Sequence, residues 1–352
     1  MASKSGKLAW ALSLSLFFTL CSFHVRAADN DGGKLNISEE VFGHIQDSYE
    51  WHIFSAGSFD ASIPLPVLLY SPTNGFSFFS SSKFNHGESS YNGYKIEDGH
   101  IAALDGSKVY DFSITKNVAA MLIAVVLLLI IFISVSKKYK QNGSNKAPSG
   151  LQNALEACIL FVRDEVAIPN LGSNYKKFMP LLLTLFFFIW FGNLLGLIPS
   201  GANLTGNIAV TCCLAVVAFA VMLFSSKKFF WAHTLNPHGV PFPVKCILVP
   251  IEIISLFIKP IALMIRLFAN MLAGHIVIVC FILLIFIFAA LNQYIGAGFT
   301  VISVGLSIFS MLIETLITAI QAYIFVILVS VFIGQMTEEE QVHGAEQVEL
   351  EM

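Results

Sequence analysis

Between residues 179 and 335 the chain carries only seven charged side chains: Lys227, Lys228, Lys245, Glu252, Lys259, Arg266 and Glu314. A soluble chain is about 25% charged, and so little charge over so long a stretch would expose apolar surface too large to stay in water. This part of the chain folds in lipid. The whole chain is 56% hydrophobic and 12% charged, with a net charge of -3. That charge gives no field for nucleic acid, and no nucleic-acid-binding module is visible. The cysteines carry no CxxC or metal spacing. Cys158, Cys212, Cys213, Cys246 and Cys280 stand in apolar contexts and read as packing residues, and Cys21 follows Phe18-Thr19-Leu20, a poor lipobox.

Residues 1–28 read as a cleavable signal peptide. Lys4 and Lys7 form a basic start, Leu8–Phe23 an apolar centre, and Val25-Arg26-Ala27 a small-residue exit. A retained first membrane helix is the alternative, and the acidic Asp29-Asn30-Asp31 that follows argues against it. Cleavage places residues 29–112 outside the cytoplasm. Their mixed, polar sequence includes stretches such as Ala61–Tyr70 that read as short strands. His44, Trp51 and His52 match no defensible ligand spacing, so surface or packing roles are expected for them.

The first span is expected at 117–135, with Lys137, Lys138, Lys140 and Lys146 behind it. Positive charge marks the cytoplasmic side, so this helix runs outside to inside, as the leader independently requires. Residues 149–168 have a helical period, yet Glu156, Arg163, Asp164 and Glu165 keep them from spanning. They fit an amphipathic helix at the cytoplasmic interface. Spans at 178–198 and 207–224 follow, joined by an outer turn at Pro199, Gly201 and Asn203. Asn203-Leu204-Thr205 is a glycosylation sequon in a turn too close to the membrane for use.

Two apolar segments, 247–291 and 299–336, are roughly twice the ~20 residues that cross a ~30 Å hydrocarbon core. Neither contains a polar loop, so strong tilt is the remaining solution. Pro250 and Pro260 are placed to kink the first, and Asn292-Gln293-Tyr294 with Gly296 and Gly298 supply the turn. The expected fold class is an all-α polytopic membrane protein. It has about five membrane segments, two of them long, steeply tilted and antiparallel, with an interfacial amphipathic helix and an irregular extracytoplasmic N-terminal region. The expected divisions are 1–28, 29–112, a membrane domain at 113–337 and an acidic cytoplasmic tail at 338–352.

Polar residues fall in register on both long segments. Glu252, Ser255, Lys259, Ala262, Arg266, Asn270 and Ala273 are three or four apart on the first; Ser303, Ser307, Ser310, Glu314, Thr318 and Gln321 are so on the second. Interhelical hydrogen bonding accounts for single serines and threonines at about 0.6 kcal/mol each. It does not account for Arg266, because a guanidinium in mid-membrane costs from about 3 to above 10 kcal/mol. Nor can it shed its proton. A permanent charge suits electrostatic gating of a passing ion. Glu314 and His275 can both gain and lose a proton near neutral pH, which suits a relay.

The run Ser255-Leu256-Phe257-Ile258-Lys259-Pro260-Ile261-Ala262-Leu263-Met264-Ile265-Arg266-Leu267-Phe268-Ala269-Asn270-Met271-Leu272-Ala273-Gly274-His275 closely resembles the signature of subunit a of the F-type rotary ATP synthase. Glu314 followed by Gln321-Ala322-Tyr323-Ile324-Phe325 is similar to that family's final helix, and Phe191–Pro199 to its second span. The resemblance covers roughly 117–337. It implies a stator in the bacterial plasma (inner) membrane, working with a ring of c subunits, b-type peripheral stalk subunits and the rest of the synthase. It also implies two offset aqueous half-channels, with Arg266 as the arginine between them, Asn270 and Gln321 as its polar neighbours, and His275 with Glu314 as an acid–base pair. Glu252 falls at an acidic position toward the cytoplasmic exit, and Ser255, Lys259, Ser310 and Thr318 line the stripes. No cofactor or metal is implied. No phosphate-binding Gly-rich loop is present, so the chain is expected to be a non-catalytic channel subunit without a nucleotide site. A secondary transporter holding an anionic substrate on Arg266 is the alternative; the halves show no internal repeat to support it. His275 with Glu314 favours protons over sodium. His233 and His238 stand in a Pro-rich loop and read as loop surface.

Overall fold

The computed structural model describes residues 47–337, apart from 57–58, 74, 86–88, 98, 143–149, 198–200, 202, 227, 237–240 and 292. The leader, His44, Lys146, Pro199 and the acidic tail therefore lie outside the described residues.

The first described part is built of strands. β1 (Glu50–Ala56) pairs antiparallel with β2 (Phe59–Pro64). β3 (Pro66–Ser71) is flanked by β4 (Gly75–Ser80) and the short β7 (Tyr110–Asp111), and β5 (Tyr94–Glu97) pairs with β6 (His100–Ala103). The strands expected within 61–70 are thus β2 and β3, broken at Leu65. Alternation along β3 buries Val67 and Leu69 with Tyr49, Phe79, Phe84, Tyr94 and Ile101 in a small core.

This β region is bonded directly to the first membrane helix, α1 (Lys116–Asn142). Ile114 N donates to Pro66 O at 3.1 Å, and Lys116 N to Ser48 O at 2.9 Å. Asp47 Oδ1 accepts from Asn117 N at 3.1 Å, capping a helix end some seventy residues along the chain. Tyr49 Oη donates to Asp111 Oδ2 at 2.5 Å across the same junction. Burial and the Asp111 carboxylate together hold the Tyr49 phenol above its ordinary pKa, so it stays a neutral donor.

Beyond α1 come α2 (Leu151–Phe161), a π-helical stretch (Val162–Ala167), α3 (Ile168–Leu171), α4 (Tyr175–Gly196), α5 (Ile208–Ser225) and the short α6 (Lys228–Leu235). The amphipathic segment expected at 149–168 is therefore not one regular helix, and it passes through a π turn toward α4. That turn presents the Val166 carbonyl to Asn170 Nδ2 (2.7 Å) and to Ser330 Oγ (3.1 Å), tying it to the last helix. Tyr139 Oη donates to Glu156 Oε2, so α2 lies against the lysine-bearing end of α1.

The chain ends in α7 (Phe242–Leu291) and α8 (Gln293–Thr337), of 50 and 45 residues. At 1.5 Å per residue these are about 75 and 68 Å long, more than twice the hydrocarbon thickness. α7 continues through both Pro250 and Pro260. The turn is much shorter than expected, since Tyr294, Gly296 and Gly298 are already helical. Continuing the hydrogen-bond ladder satisfies backbone groups that a longer loop in lipid would leave open.

Among the described residues five helical segments are long and apolar enough to cross a membrane: 116–141, 151–196, 208–225, 242–289 and 298–337. The chain is a multi-pass all-α membrane protein with a small β region ahead of its first span. Its main core joins Phe178, Leu182, Phe186, Phe187 and Ile189 of α4 to Phe325, Val329 and Ile333 of α8, and to Leu256, Leu263 and Leu267 of α7. Phe187, Phe325, Leu182, Ile189, Leu267 and Ile333 are fully buried there, so the inner face of α8 is fixed by packing.

Candidate functional site

α7 and α8 run antiparallel in contact, and their polar stripes end in different environments. On α8 the stripe faces inward: Ser303 is 0% exposed, Glu314 4%, Thr318 2% and Gln321 4%, and Ser307 and Ser310 are half-buried. Ile302, Leu306, Phe309, Ile313, Leu316 and Ile320 cover the outward face. A 3.6-residue period sorts the two faces without exception.

On α7 the same pattern is offset by one position. Leu256, Leu263, Leu267 and Met271 are buried, and Ala262, Arg266, Asn270 and Ala273 beside them are exposed. The two stripes therefore do not both turn into the seam. Only Glu314 lies inside the seam, while Arg266 stands on the outer surface of α7. The physical reason is that α8 already presents an apolar ridge to the leucine row of α7, which rotates the neighbouring row outward. Among the described residues nothing forms a hydrogen bond or ion pair with Arg266. The stripes meet one turn further on, where Asn270 Nδ2 donates to Gln321 Oε1 at 3.0 Å.

His275 and Glu314 meet inside the seam, with Nε2 and Oε1 4.0 Å apart. Among the described residues neither Glu314 oxygen nor His275 Nε2 has a hydrogen-bond partner. Gly274 makes room for this arrangement, because a Cβ there would overlap the Glu314 carboxylate. Lys116, at the start of α1, is within electrostatic range of His275. The end of α1 that carries the β region therefore approaches the pair.

A family model described as ATP synthase A chain matches residues 118–334, spanning every helix that forms this site. The chain belongs to the ATP synthase subunit a family. It is 46% identical over 241 residues to an ATP synthase subunit a 2 of Prosthecochloris aestuarii, covering 67% of this chain and 72% of that one. It is 47% identical over 242 residues to an ATP synthase subunit a of Chlorobium phaeobacteroides (67% and 69% covered). It is 44% identical over 243 residues to an ATP synthase subunit a of Chloroherpeton thalassium (67% and 70% covered). A second family model, described as a domain of unknown function, matches residues 40–121, the β region and the start of α1.

The remaining candidate residues of this subunit a chain are less closely joined. Lys259 lies over the Phe332 ring (4.8 Å to its centroid) and reaches Gln335 Oε1 at 3.5 Å. Glu252 and Ser255 are half-buried and unpartnered among the described residues, two turns and one turn below it along α7. Thr318 Oγ1 donates to Thr315 O within its own helix, and Ser310 makes no side-chain bond among the described residues. Sequence reading missed two supports. Asn203 Nδ2 reaches the Met271 carbonyl at 3.5 Å, and Thr205 Oγ1 donates to Asn193 Oδ1 at 2.6 Å, both from the turn between α4 and α5. The same bonds bury the sequon, whose Thr205 is 0% exposed. It also gave no role to Gly274, although a glycine in an apolar helix is a usable signal of close approach. Among the described residues no cluster of His, Cys, Asp and Glu could hold a metal ion.

Proposed function

We propose that this chain is the proton-translocating stator of the membrane sector of an F-type ATP synthase. In this reading it provides two offset half-channels and an arginine, Arg266, that sets the charge state of carboxylates on a ring of c subunits. The observation that carries it is the position of Arg266: a permanent cation on the surface of a membrane helix, unpartnered among the described residues. Such a charge in lipid requires a counter-charge from outside the subunit. An ionised ring carboxylate supplies it, and the small exposed Ala262 and Ala273 on either side leave room for close approach.

Mechanism follows from charge energetics. An ionised carboxylate is costly in lipid, so a ring site leaves the stator only after taking up a proton. Arg266 favours the ionised form, so a protonated site arriving beside it releases its proton into the open half-channel. The same cation repels protons and separates the two channels. Each charge that crosses gains about 2.3 kcal/mol per 100 mV, which biases rotation. His275 and Glu314 serve the extracytoplasmic half-channel, and Asn270 with Gln321 holds the seam beside Arg266. Glu252 stands toward the cytoplasmic exit; Ser255, Lys259, Ser310 and Thr318 line the two stripes.

The assembly includes the c ring, b-type peripheral stalk subunits and the rest of the synthase. The protein lies in the bacterial plasma membrane, with 1–28 removed as a signal peptide, 29–112 outside and 338–352 in the cytoplasm. The lysines at the C-terminal end of α1 support this orientation. Purification through a tag on this chain is expected to bring down an oligomeric ring of small hairpin proteins with the nucleotide-hydrolysing head. Recovery of the chain without any ring under conditions that keep the head attached would overturn the assignment.

Gly274 offers a more local check. Gly274→Val pushes a side chain into the space of the Glu314 carboxylate, so ATP-driven proton pumping in membrane vesicles should fall about tenfold or more, the scale of an overpacking cost of 1–3 kcal/mol. Gly274→Ala should lose less. Unchanged pumping in the valine variant would show that Glu314 does not need its seat.

A further inference from the structure

An antiparallel sheet with one face in water alternates apolar and polar residues, so that its outer face is polar. The sheet β4–β3–β7 breaks this rule. Its inner face buries Val67, Leu69 and Phe79 in the small core. Its outer face presents two rows of three apolar side chains in register. Phe78 pairs with Leu68, whose carbonyl accepts from Phe112 N at 2.9 Å; Phe76 pairs with Tyr70, which pairs with Tyr110. The Tyr70 ring lies 4.7 Å from Phe76 and 6.2 Å from Tyr110, centroid to centroid. Phe76 is 78% exposed, Phe78 72% and Phe112 63%. At about 200 Å² for a whole aromatic side chain, these three alone leave roughly 400 Å² of apolar surface uncovered, the size at which a patch marks an interaction site. Neither row carries an acid, and Lys108 lies over the Tyr110 ring at 5.2 Å.

The position of the sheet says what covers it. Two backbone bonds, Ile114 N to Pro66 O and Lys116 N to Ser48 O, tie it to the first turn of α1. Counting about 20 residues back from Lys137 puts the near edge of the hydrocarbon at about residue 117. Ile114, with the strand end bonded to it, is then within about 10 Å of that edge, and the headgroup region is about 5–8 Å deep. α1 stands at the rim of the bundle. Leu128 and Phe132 pack on the main core, with Phe132 against Phe187, while Leu122, Val126, Leu129 and Ile133 are exposed along its other side. The aromatic rows are thus continuous in the chain with a lipid-facing helix. We propose that the outer face of β4–β3–β7 lies on the phospholipid surface beside α1, with both rows set into the headgroup region. The Phe rings and Leu68 meet the upper acyl chains. The Tyr70 and Tyr110 hydroxyls and the Lys108 ammonium meet the phosphates, as in the aromatic belts of membrane interfaces. The sheet thereby fixes the depth of α1 in the membrane. This rests on the multi-pass fold and does not depend on the stator reading.

The test uses the whole complex, reconstituted in vesicles of phosphatidylethanolamine and phosphatidylglycerol, in a background whose native cysteines are replaced. Phe76→Cys, Phe78→Cys and Phe112→Cys are made singly and spin-labelled, with Lys95→Cys on the exposed side of β5 as the reference. At 76, 78 and 112 dissolved oxygen, which concentrates in lipid, should relax the label more strongly than a water-soluble nickel chelate. At 95 the order should reverse. Stronger relaxation by the chelate at all three aromatic positions overturns the proposal, because the face is then in water. Shielding of all three from both reagents also overturns it and makes another subunit or a second copy the cover. The unsubstituted complex gives a reading free of any variant. A phosphatidylcholine with a photoactivatable diazirine near its headgroup should leave adducts on the peptide 75–80. Adducts on 122–133 of α1 with none on 75–80 overturn the proposal. Neither readout involves proton flux, so the contact and the stator reading fail separately.

Discussion

Arg266→Ala should abolish ATP-driven proton pumping while ATP hydrolysis by the detached soluble head continues at its normal rate. The expected loss is on the order of 100-fold or more, the scale for removing one preorganised group that stabilises charge in a dry site. The structure makes this variant informative. Arg266 is exposed on α7 and has no partner among the described residues, so its removal leaves no buried carboxylate unpaired there. The leucine row that packs α7 against its neighbours, Leu263 and Leu267, is untouched. The subunit should therefore assemble normally, and the loss reads directly on proton transfer. Arg266→Lys keeps the charge but not the planar fork, and should recover only part of the flux. The measurement is fluorescence quenching by acidified vesicles alongside phosphate release. Normal pumping in Arg266→Ala would sink the assignment of this chain as the stator.

Exchanging His275 and Glu314 should preserve more proton flux than replacing either one alone. The two groups are 4.0 Å apart, and among the described residues neither His275 Nε2 nor either Glu314 oxygen has a hydrogen-bond partner, so each single replacement leaves the survivor in a buried, unpaired site. The double exchange His275→Glu with Glu314→His restores an acid beside a base. Residues in contact couple by about 0.5–3 kcal/mol, so the exchanged protein should exceed the product of the single losses by roughly 2- to 150-fold. Recovery will be incomplete, because Gly274 is shaped for a carboxylate at 314 and an imidazole is larger. Equal losses in all three variants would show that the pair is uncoupled.

Most of the membrane architecture was readable from hydropathy and charge. Spans near 117–135, 178–198 and 207–224 lie within helices α1, α4 and α5 or overlap them closely, and two overlong segments became α7 and α8. The turn between the long helices is shorter than Gly296 and Gly298 suggest, since both lie within α8. In lipid, the need to satisfy every backbone group outweighs their weak helix propensity. The π turn at 162–167 gave no local signal, since it is fixed by the distant Ser330 and by close packing at Gly334, where a Cβ would overlap the Asn170 carbonyl.

The sequence by itself determined that this is a lipid-embedded helical protein, which few charges break the apolar pattern, and that they fall three or four apart. Those are local properties of composition and period. Which side of the seam each charge occupies is a tertiary property: Glu314 lies inside against Gly274, and Arg266 outside with no partner among the described residues. Periodicity defines a stripe but not its azimuth, and a one-residue offset rotates a helix face by about 100°. That rotation is set by which ridge packs into which groove, a relation between two helices that neither segment encodes alone.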